Sequence, residues 1–144
     1  MALSGDVHTD GQYINMAAAT IGAGATVTTT PTTLLAGMKY LVAEAQFVRA
    51  AGGTDCKAYV QTSLDQGVTW IDIMCFAFTT STASKVSAVS STIALAAAVT
   101  PGDAALSDNT ILNGLLGDQV RVKYISTGTY TGATTLQVDM LAKG

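Results

Sequence analysis

The stretch from residue 59 to residue 73 constrains the fold of this chain most, because its pattern is typical of a β-hairpin. Two runs of alternating residues flank a polar turn that contains Gly67. Pairing Thr62 with Thr69 places Cys56 opposite Cys75 and separates an apolar face from a polar face that carries aromatic residues. We therefore expect the first face to join the core and the second to face solvent or a partner.

The turn of this hairpin has the pattern Ser63-x-Asp65-x-Gly67-x-Thr69-Trp70. An aspartate in a turn accepts hydrogen bonds from the N–H groups that follow it, and a glycine adopts the positive φ that other residues resist. The pattern resembles the Asp-box, a hairpin motif of sialidases and many other β-rich proteins. The resemblance implies a structural turn that lies away from any catalytic centre.

The aromatic residues near this hairpin suggest an alternative role for the same surface. Tyr59 and Trp70 fall on its expected outer face, and Tyr130 lies in a later turn. Exposed aromatic rings stack on sugars and on partner proteins, so these three side chains are the candidates for a glycan or partner contact.

Length and composition favour a single domain with an unusually neutral surface. A chain of 144 residues is long enough to bury a core of its own. Charged residues make up only 12% of it, about half the usual share of roughly 25%. Because charge is depleted where interfaces are buried, this surface suits a subunit packed against neighbours. We expect an arm over residues 1–11, either flexible or bound to a partner, and one domain over residues 12–144.

The distribution of charge argues against nucleic-acid and membrane partners. The net charge is −3, and the seven Lys and Arg residues are scattered along the chain, so no cluster matches a run of phosphates. The most apolar run, 93–99, is too short to span a bilayer, and the N-terminus does not resemble a secretory signal. These patterns predict a soluble protein made in the cytosol.

The two cysteines, Cys56 and Cys75, face each other in the expected register, so this register would allow a disulfide between them. A pair in a chain without an export signal is more often reduced and buried as small apolar residues. Two thiols without a neighbouring His or a further Cys do not make a zinc site. We favour the reduced pair.

The rest of the chain is also strand-like. We expect strands in 13–20 and 25–30, a strand rather than a short helix in 40–51, two short strands in 86–99, and a second hairpin from 119–127 and 134–142. For segment 104–116 we expect a loop that contains one helical turn, capped by Asp108. Eight to ten short antiparallel strands without a long amphipathic helix predict an all-β sandwich, and a jelly roll is the favoured version.

The sequence shows no catalytic, cofactor-binding or metal-binding constellation. The only histidine, His8, lies in the expected arm, so no Ser-His-Asp or Cys-His arrangement has a rigid support. The carboxylates weighed for paired-carboxylate chemistry are Asp65, Asp72, Asp103, Asp108 and Asp118. Most of them lie beside turn-forming residues, so we interpret them as turn formers. Asp103 with Asp108 is a conceivable start of a calcium site, without the ligand spacing that would complete it. We expect no enzyme activity.

Two stretches, 59–70 with its Asp-box-like turn and 116–132 with Gly-Asp-Gln-Val-Arg-Val-Lys-Tyr and Thr-Gly-Thr-Tyr-Thr-Gly, resemble small structural proteins of tailed bacteriophages. The neutral Ala, Thr and Gly composition is similar too. The resemblance implies a virion component made in the host cytoplasm: a capsid decoration (cement) protein that forms a homotrimer and contacts the major capsid protein, or a tail or neck protein. It assigns no individual functional residue.

A carbohydrate-binding module is the alternative from another functional class, because jelly rolls also serve that role. It requires two or more exposed aromatic rings on one concave face. The chain has nine aromatic residues in Trp, Tyr and Phe together, and several are needed in the core. We therefore favour assembly over glycan binding.

Overall fold

A computed structural model of the protein describes residues 11–32, 35 and 37–144, which form ten β-strands and no helix. The strands are β1 (Gln12–Thr20), β2 (Ala25–Thr28), β3 (Tyr40–Val48), β4 (Ala51–Gly52), β5 (Asp55–Ser63), β6 (Ile71–Phe78), β7 (Ala83–Ser90), β8 (Gln119–Thr127), β9 (Tyr130–Thr131) and β10 (Thr135–Lys143). Residues 1–10 of the expected arm lie outside the described residues. Within the described chain, nothing resembles a helix long and apolar enough to cross a membrane.

Eight of the strands form two antiparallel four-stranded sheets. The first sheet has the order β1-β10-β3-β7 and the second has the order β2-β8-β5-β6, while β4 and β9 pair separately. The pairing is nested, because β1 pairs with β10, β2 with β8, β3 with β7 and β5 with β6. The arrangement is all-β and compatible with a β-sandwich.

One hydrophobic cluster draws its side chains from both sheets. Leu41 and Phe47 of β3 and Val138 of β10 come from the first sheet, and Val60 and Phe78 come from the second. The rings of Phe47 and Phe78 stack with their centroids 5.1 Å apart, so the two sheets are joined directly through their inner faces. Each fully buried aliphatic or aromatic side chain of this kind contributes roughly 1.5–3 kcal/mol to folding.

The central hairpin forms, but the predicted register is wrong. Thr62 lies opposite Ile71 instead of Thr69, because the turn extends to Trp70 and is two residues longer than expected. A β-bulge at Ile73 then shifts the register by one more residue, so Cys56 lies opposite Phe78 and not opposite Cys75. Since a one-residue shift reverses the faces of a strand, the bulge exchanges the inner and outer side chains of β6 beyond it.

The consequence of the bulge is visible in the core. Met74, Phe76 and Phe78 join the hydrophobic cluster, whereas Cys75 belongs to the opposite face. That opposite face is also buried, since Cys75 and Asp72 are 2% and 3% exposed. We expected this face to meet solvent or a partner, and it is instead buried against residues 102–112 of the same chain.

The predicted C-terminal hairpin is wrong in its pairing, although both strands are present. Residues 119–127 form β8 in the second sheet, and β10 lies in the first sheet. Val122 of β8 and Val138 of β10 are both fully buried in the shared core. Alternation in the sequence thus identifies each strand and its buried face, but it does not identify the strand's partner.

Three other segments test the strand predictions. Segment 40–51 contains β3, which confirms the choice of strand over helix. Segment 86–99 does not hold two strands, because β7 ends at Ser90 and residues 91–99 lie outside regular structure. Segment 104–116 is a loop without the expected helical turn. Small residues such as Ala and Ser carry little periodic signal, which explains the error in 86–99.

Candidate functional site: a polar network under the 102–112 loop

A row of polar side chains crosses the outer face of the second sheet. Gln61 of β5 lies opposite Asp72 of β6 on one side and opposite Arg121 of β8 on the other. Arg121 donates its Nε–H to Gln61 Oε1 at 2.8 Å, and Gln61 Nε2 donates to Asp72 Oδ1 at 2.8 Å. The row is a direct result of strand register, since directly opposed side chains lie within hydrogen-bonding reach.

Asp72 fixes the loop that follows β7. Its carboxylate accepts the backbone N–H groups of Ala104 at 2.9 Å, Ala105 at 2.7 Å and Leu106 at 3.0 Å, and its own N–H donates to Gly102 O at 2.9 Å. Ala104 has a φ of 60°, a conformation that costs energy for a residue with a side chain and persists only where its surroundings impose it. The carboxylate is buried and fully occupied, so it acts as an anchor for the loop.

The loop continues along the free edge of β6. Cys75 donates its N–H to Thr110 O at 3.0 Å, and the N–H of Leu112 donates to Ile73 O at 2.9 Å. Residues 102–112 therefore cover an edge that would otherwise present unpaired backbone groups.

Asp103 sits at the rim of the network and binds three side chains. Its Oδ1 accepts Gln61 Nε2 at 2.7 Å and Lys123 Nζ at 3.0 Å, and Arg121 lies 3.8 Å from its Oδ2. Partial burial acts to raise the pKa of Asp103, but the hydrogen bonds from Gln61 and Lys123 and the two nearby cations outweigh it and hold the pKa below its ordinary value.

Arg121 connects this network to the hairpin turn. Its guanidinium lies 4.2 Å from the centre of the Trp70 ring, which is a cation–π contact. Burial lowers the pKa of Arg121, and the neighbouring Asp103 and Asp72 oppose that effect. The ring of Trp70 is held in turn by a hydrogen bond from its Nε1–H to Gly67 O at 3.1 Å.

The turn residues that the sequence singled out bind one another. Ser63 Oγ donates to Asp65 Oδ1 at 2.9 Å and accepts the N–H of Gly67 at 2.8 Å, and Asp65 Oδ1 accepts the N–H of Thr69 at 2.7 Å. Gly67 has a φ of 90°. The Thr69 backbone hydrogen bond is the main reason that the pKa of Asp65 is lowered. These contacts close the turn locally, and the ring of Trp70 packs over it.

The three aromatic side chains proposed for glycan or partner contact are buried. Tyr59 is 5% exposed, Trp70 is 8% exposed and Tyr130 is 2% exposed. The Tyr130 ring meets that of Phe47 edge-on, and its hydroxyl donates to Thr79 O at 2.7 Å. A ring enclosed in this way has no free face for a sugar, so the exposed rings that the glycan-binding alternative requires are not found at these three positions.

The carboxylates considered for calcium have basic partners instead. Lys57 Nζ lies 2.9 Å from Asp108 Oδ1, and Asp103 binds Lys123 as described above. Over residues 11–32, 35 and 37–144, no cluster of three or more His, Cys, Asp or Glu side chains is placed to hold a metal ion. Asp103 and Asp108 thus serve as ion-pair partners that hold the loop to β8 and β5.

Both cysteines are free and buried, as expected for a reduced pair, but they do not face each other. Cys56 lies on the core face of β5, where burial raises its pKa to about 12. Cys75 lies on the opposite face beside Tyr59, and burial raises its pKa as well. Neither thiol has the low pKa that marks a reactive cysteine.

A groove of about 380 Å³ opens between β6 and β7. It is lined by Cys75, Phe76, Lys85, Val86, Ser87 and Asn109. Lys85 on its wall donates to Asn109 Oδ1 at 2.9 Å and lies over the ring of Phe78, with Nζ 5.1 Å from the ring centre. Its ammonium group is therefore used to close the gap between the two strands.

Sequence reasoning missed the polar network, although a signal for it was present. Gln61 follows the apolar residues Tyr59 and Val60, and Asp72 lies between two isoleucines; polar residues in such a setting are buried only when they find partners. Their partners come from residues 102–106 and 121, far away in sequence.

No protein-family model, curated protein or solved structure matches this chain.

Proposed function

We propose that this chain is a non-enzymatic structural protein of a tailed-phage virion, specifically a capsid decoration (cement) protein that stabilises the head. It associates with copies of itself, with a homotrimer favoured, and contacts the major capsid protein. Its proposed place is the virion, after synthesis in the host cytoplasm. A tail or neck position is the alternative within the same class.

The observation that carries this proposal is the contrast between the buried polar groups and the exposed surface. The carboxylate of Asp72 is occupied by four donors from its own chain, and Gln61 is fully enclosed. The hydrogen bonds of these two side chains hold the loop to the sheet. The exposed surface, in contrast, includes many apolar side chains in a chain with only 12% charged residues. A surface of this kind supports a role in packing against other subunits.

The nested strand pairing supports a finer description of the fold. We infer that the sandwich is a jelly roll, since the first of the eight paired strands binds the last, the second binds the seventh, and so on inwards. A jelly roll is a double-sheet fold used by viral capsid proteins as well as by lectins and cupins. The fold alone does not distinguish these uses, so the proposal relies on the surface as well.

Co-sedimentation with phage particles tests the proposal. The full chain would be mixed with purified heads, and separately with purified tails, of a phage whose genome encodes it. We expect the chain to pellet with heads at a saturating stoichiometry and to raise the temperature at which the heads release DNA. Saturable binding to tails alone would favour the tail or neck role, and binding to neither particle would contradict a virion role.

A further inference from the structure

The outer face of the first sheet carries two exposed tyrosine rings. Tyr13 of β1 is 64% exposed and Tyr40 of β3 is 42% exposed. Both side chains point away from the core, because their neighbours Ile14 and Leu41 pack against it or within it. The register places the two tyrosines two strands and two positions apart, so their Cα atoms are separated by about 12 Å. One elongated ligand can therefore contact both rings.

The ring of Tyr13 is fixed against the sheet. Its hydroxyl donates to Asp139 Oδ1 at 2.8 Å, and Asp139 lies on the neighbouring strand β10. Because the hydroxyl is tied to the sheet while the residue stays largely exposed, the ring lies across the sheet with one face open to solvent. An aromatic face that is already held in place loses little conformational entropy when a flat apolar surface stacks on it.

Asp139 also orients three amide side chains around this ring. The amides of Asn15, Gln137 and Gln46 each direct their NH₂ group at its carboxylate, the two glutamines over distances of 3.2–3.4 Å. Partial burial acts to raise the pKa of this carboxylate, but the hydrogen bonds from Tyr13, Gln137 and Asn15 hold it below its ordinary value. An ionised carboxylate only accepts hydrogen bonds, so each amide turns its nitrogen towards it. Within the described part of the chain, the three amide oxygens remain unused and are available as acceptors.

Glu44 adds an acceptor at the centre of this face and restricts the class of ligand. It lies directly opposite Asp139 on β3 and accepts Gln46 Nε2 at 3.1 Å. Charge is depleted at the centre of protein–protein interfaces, so two adjacent carboxylates disfavour a protein surface here, and they repel anions. Both oxygens of Asp139 are already occupied by its amide and hydroxyl donors, which disfavours a cation. A neutral ligand rich in hydroxyl donors, with apolar faces that stack on tyrosine, matches the remaining chemistry.

We propose that this face, defined by Tyr13, Tyr40 and the amides around Asp139, is a binding site for a neutral oligosaccharide. Tyr13 provides the stacking surface for one sugar ring, and Tyr40 contacts another unit further along the ligand. The amide oxygens and Glu44 accept hydrogen bonds from sugar hydroxyls. The site lies apart from the three buried rings considered from the sequence, and its activity is additional to the proposed structural role.

An array of immobilised oligosaccharides, probed with the full chain, tests this inference. It would carry neutral glucans, mannans, galactans and N-acetylglucosamine oligomers beside sialylated and sulfated glycans, and calorimetry would measure the affinity of the best neutral ligand. The test variants are Tyr13→Ala and Tyr40→Ala, and the control is Leu64→Ala, at a side chain that is 62% exposed in the hairpin turn of the second sheet. We expect Tyr13→Ala to weaken binding at least about tenfold, Tyr40→Ala to weaken only the binding of longer oligosaccharides, and the control to bind like the wild type.

Glu44→Gln distinguishes a saccharide from a cationic ligand, because it removes the charge and keeps an acceptor oxygen in place. We expect it to retain the affinity for the neutral oligosaccharide within about threefold, with no loss in urea unfolding, since two like charges no longer face each other. Circular dichroism would establish that each variant is folded.

The inference is contradicted if no neutral oligosaccharide binds, if only the sialylated or sulfated glycans bind, if both tyrosine variants bind as tightly as the wild type, or if Glu44→Gln abolishes binding. Each of these results would leave the virion role standing, because co-sedimentation with phage particles tests that role separately.

Discussion

The N–H of Ala105 donates a 2.7 Å hydrogen bond to Oδ2 of Asp72, which joins an exposed loop to the start of a buried strand. Ala104 and Leu106 donate to the same carboxylate, so one side chain organises three successive amides. The loop over residues 102–112 is thereby tied to the second sheet.

Replacing Asp72 with Asn should destabilise the fold and loosen the loop. The amide would direct an NH₂ group towards backbone donors, and at least one buried N–H would lose its partner. We expect a loss of about 2–4 kcal/mol in the free energy of unfolding and faster hydrogen exchange at Ala104, Ala105 and Leu106. Urea unfolding and amide exchange measure these effects.

Asp118→Asn is the control for this substitution, since Asp118 is an exposed aspartate immediately before β8. It should change the free energy of unfolding by less than about 0.5 kcal/mol. Unchanged exchange at the three loop amides in Asp72→Asn would show that the carboxylate does not anchor the loop.

The hairpin turn should be sensitive to Ser63. Its hydroxyl is buried and binds both Asp65 and the N–H of Gly67, so Ser63→Ala leaves these groups without their partner. We expect a loss of about 1–2 kcal/mol in thermal or urea unfolding. The neighbouring Leu64→Ala, at a side chain that is 62% exposed, is the control and should be nearly neutral. Equal effects from the two substitutions would argue against the hydrogen-bonded turn.

The contribution of Asp103 should depend on pH. Because its pKa is below the ordinary value in the folded protein, its ionised form stabilises the fold above about pH 4, and this stabilisation disappears as the pH falls through the folded pKa. The difference in urea midpoint between the wild type and Asp103→Asn should therefore be largest at neutral pH and shrink in acid. A difference that grows on acidification would contradict the ion pairs with Lys123 and Arg121.

Both thiols should be protected in the folded protein. Cys56 and Cys75 are buried, and burial raises the pKa of each, so the reactive thiolate is scarce and inaccessible. A disulfide-exchange reagent at about pH 8 should modify neither residue in the native state and both in urea. Rapid reaction of the native protein with one equivalent of reagent would show that one of these residues is exposed by local opening.

The sequence predicted the strands better than their partners. Alternation located β5, β8 and β10 with their buried faces, because side-chain period is a local property. The bulge at Ile73 and the separation of β8 from β10 into two sheets depend on contacts between distant segments, and no local pattern encodes them.

The same limit applies to the candidate site. The turn chemistry of Ser63 and Asp65 is local in sequence, so the residues involved could be chosen correctly. The hydrogen bonds between Asp72 and residues 104–106 join positions more than thirty residues apart in sequence. Predicting them requires knowing where the loop returns to the sheet. The loop also binds Asp72 and the backbone of Cys75, which explains why a face expected to meet solvent or a partner is buried.

The mass of the purified protein in solution, measured by light scattering behind a sizing column, tests self-association most directly. The proposal predicts a stable oligomer, with a trimer of about three times the 14.7 kDa subunit mass, or a monomer that becomes trimeric when phage heads are added. A chain that remains monomeric at every concentration, with and without heads, would contradict the claim that it functions as a self-associating structural subunit.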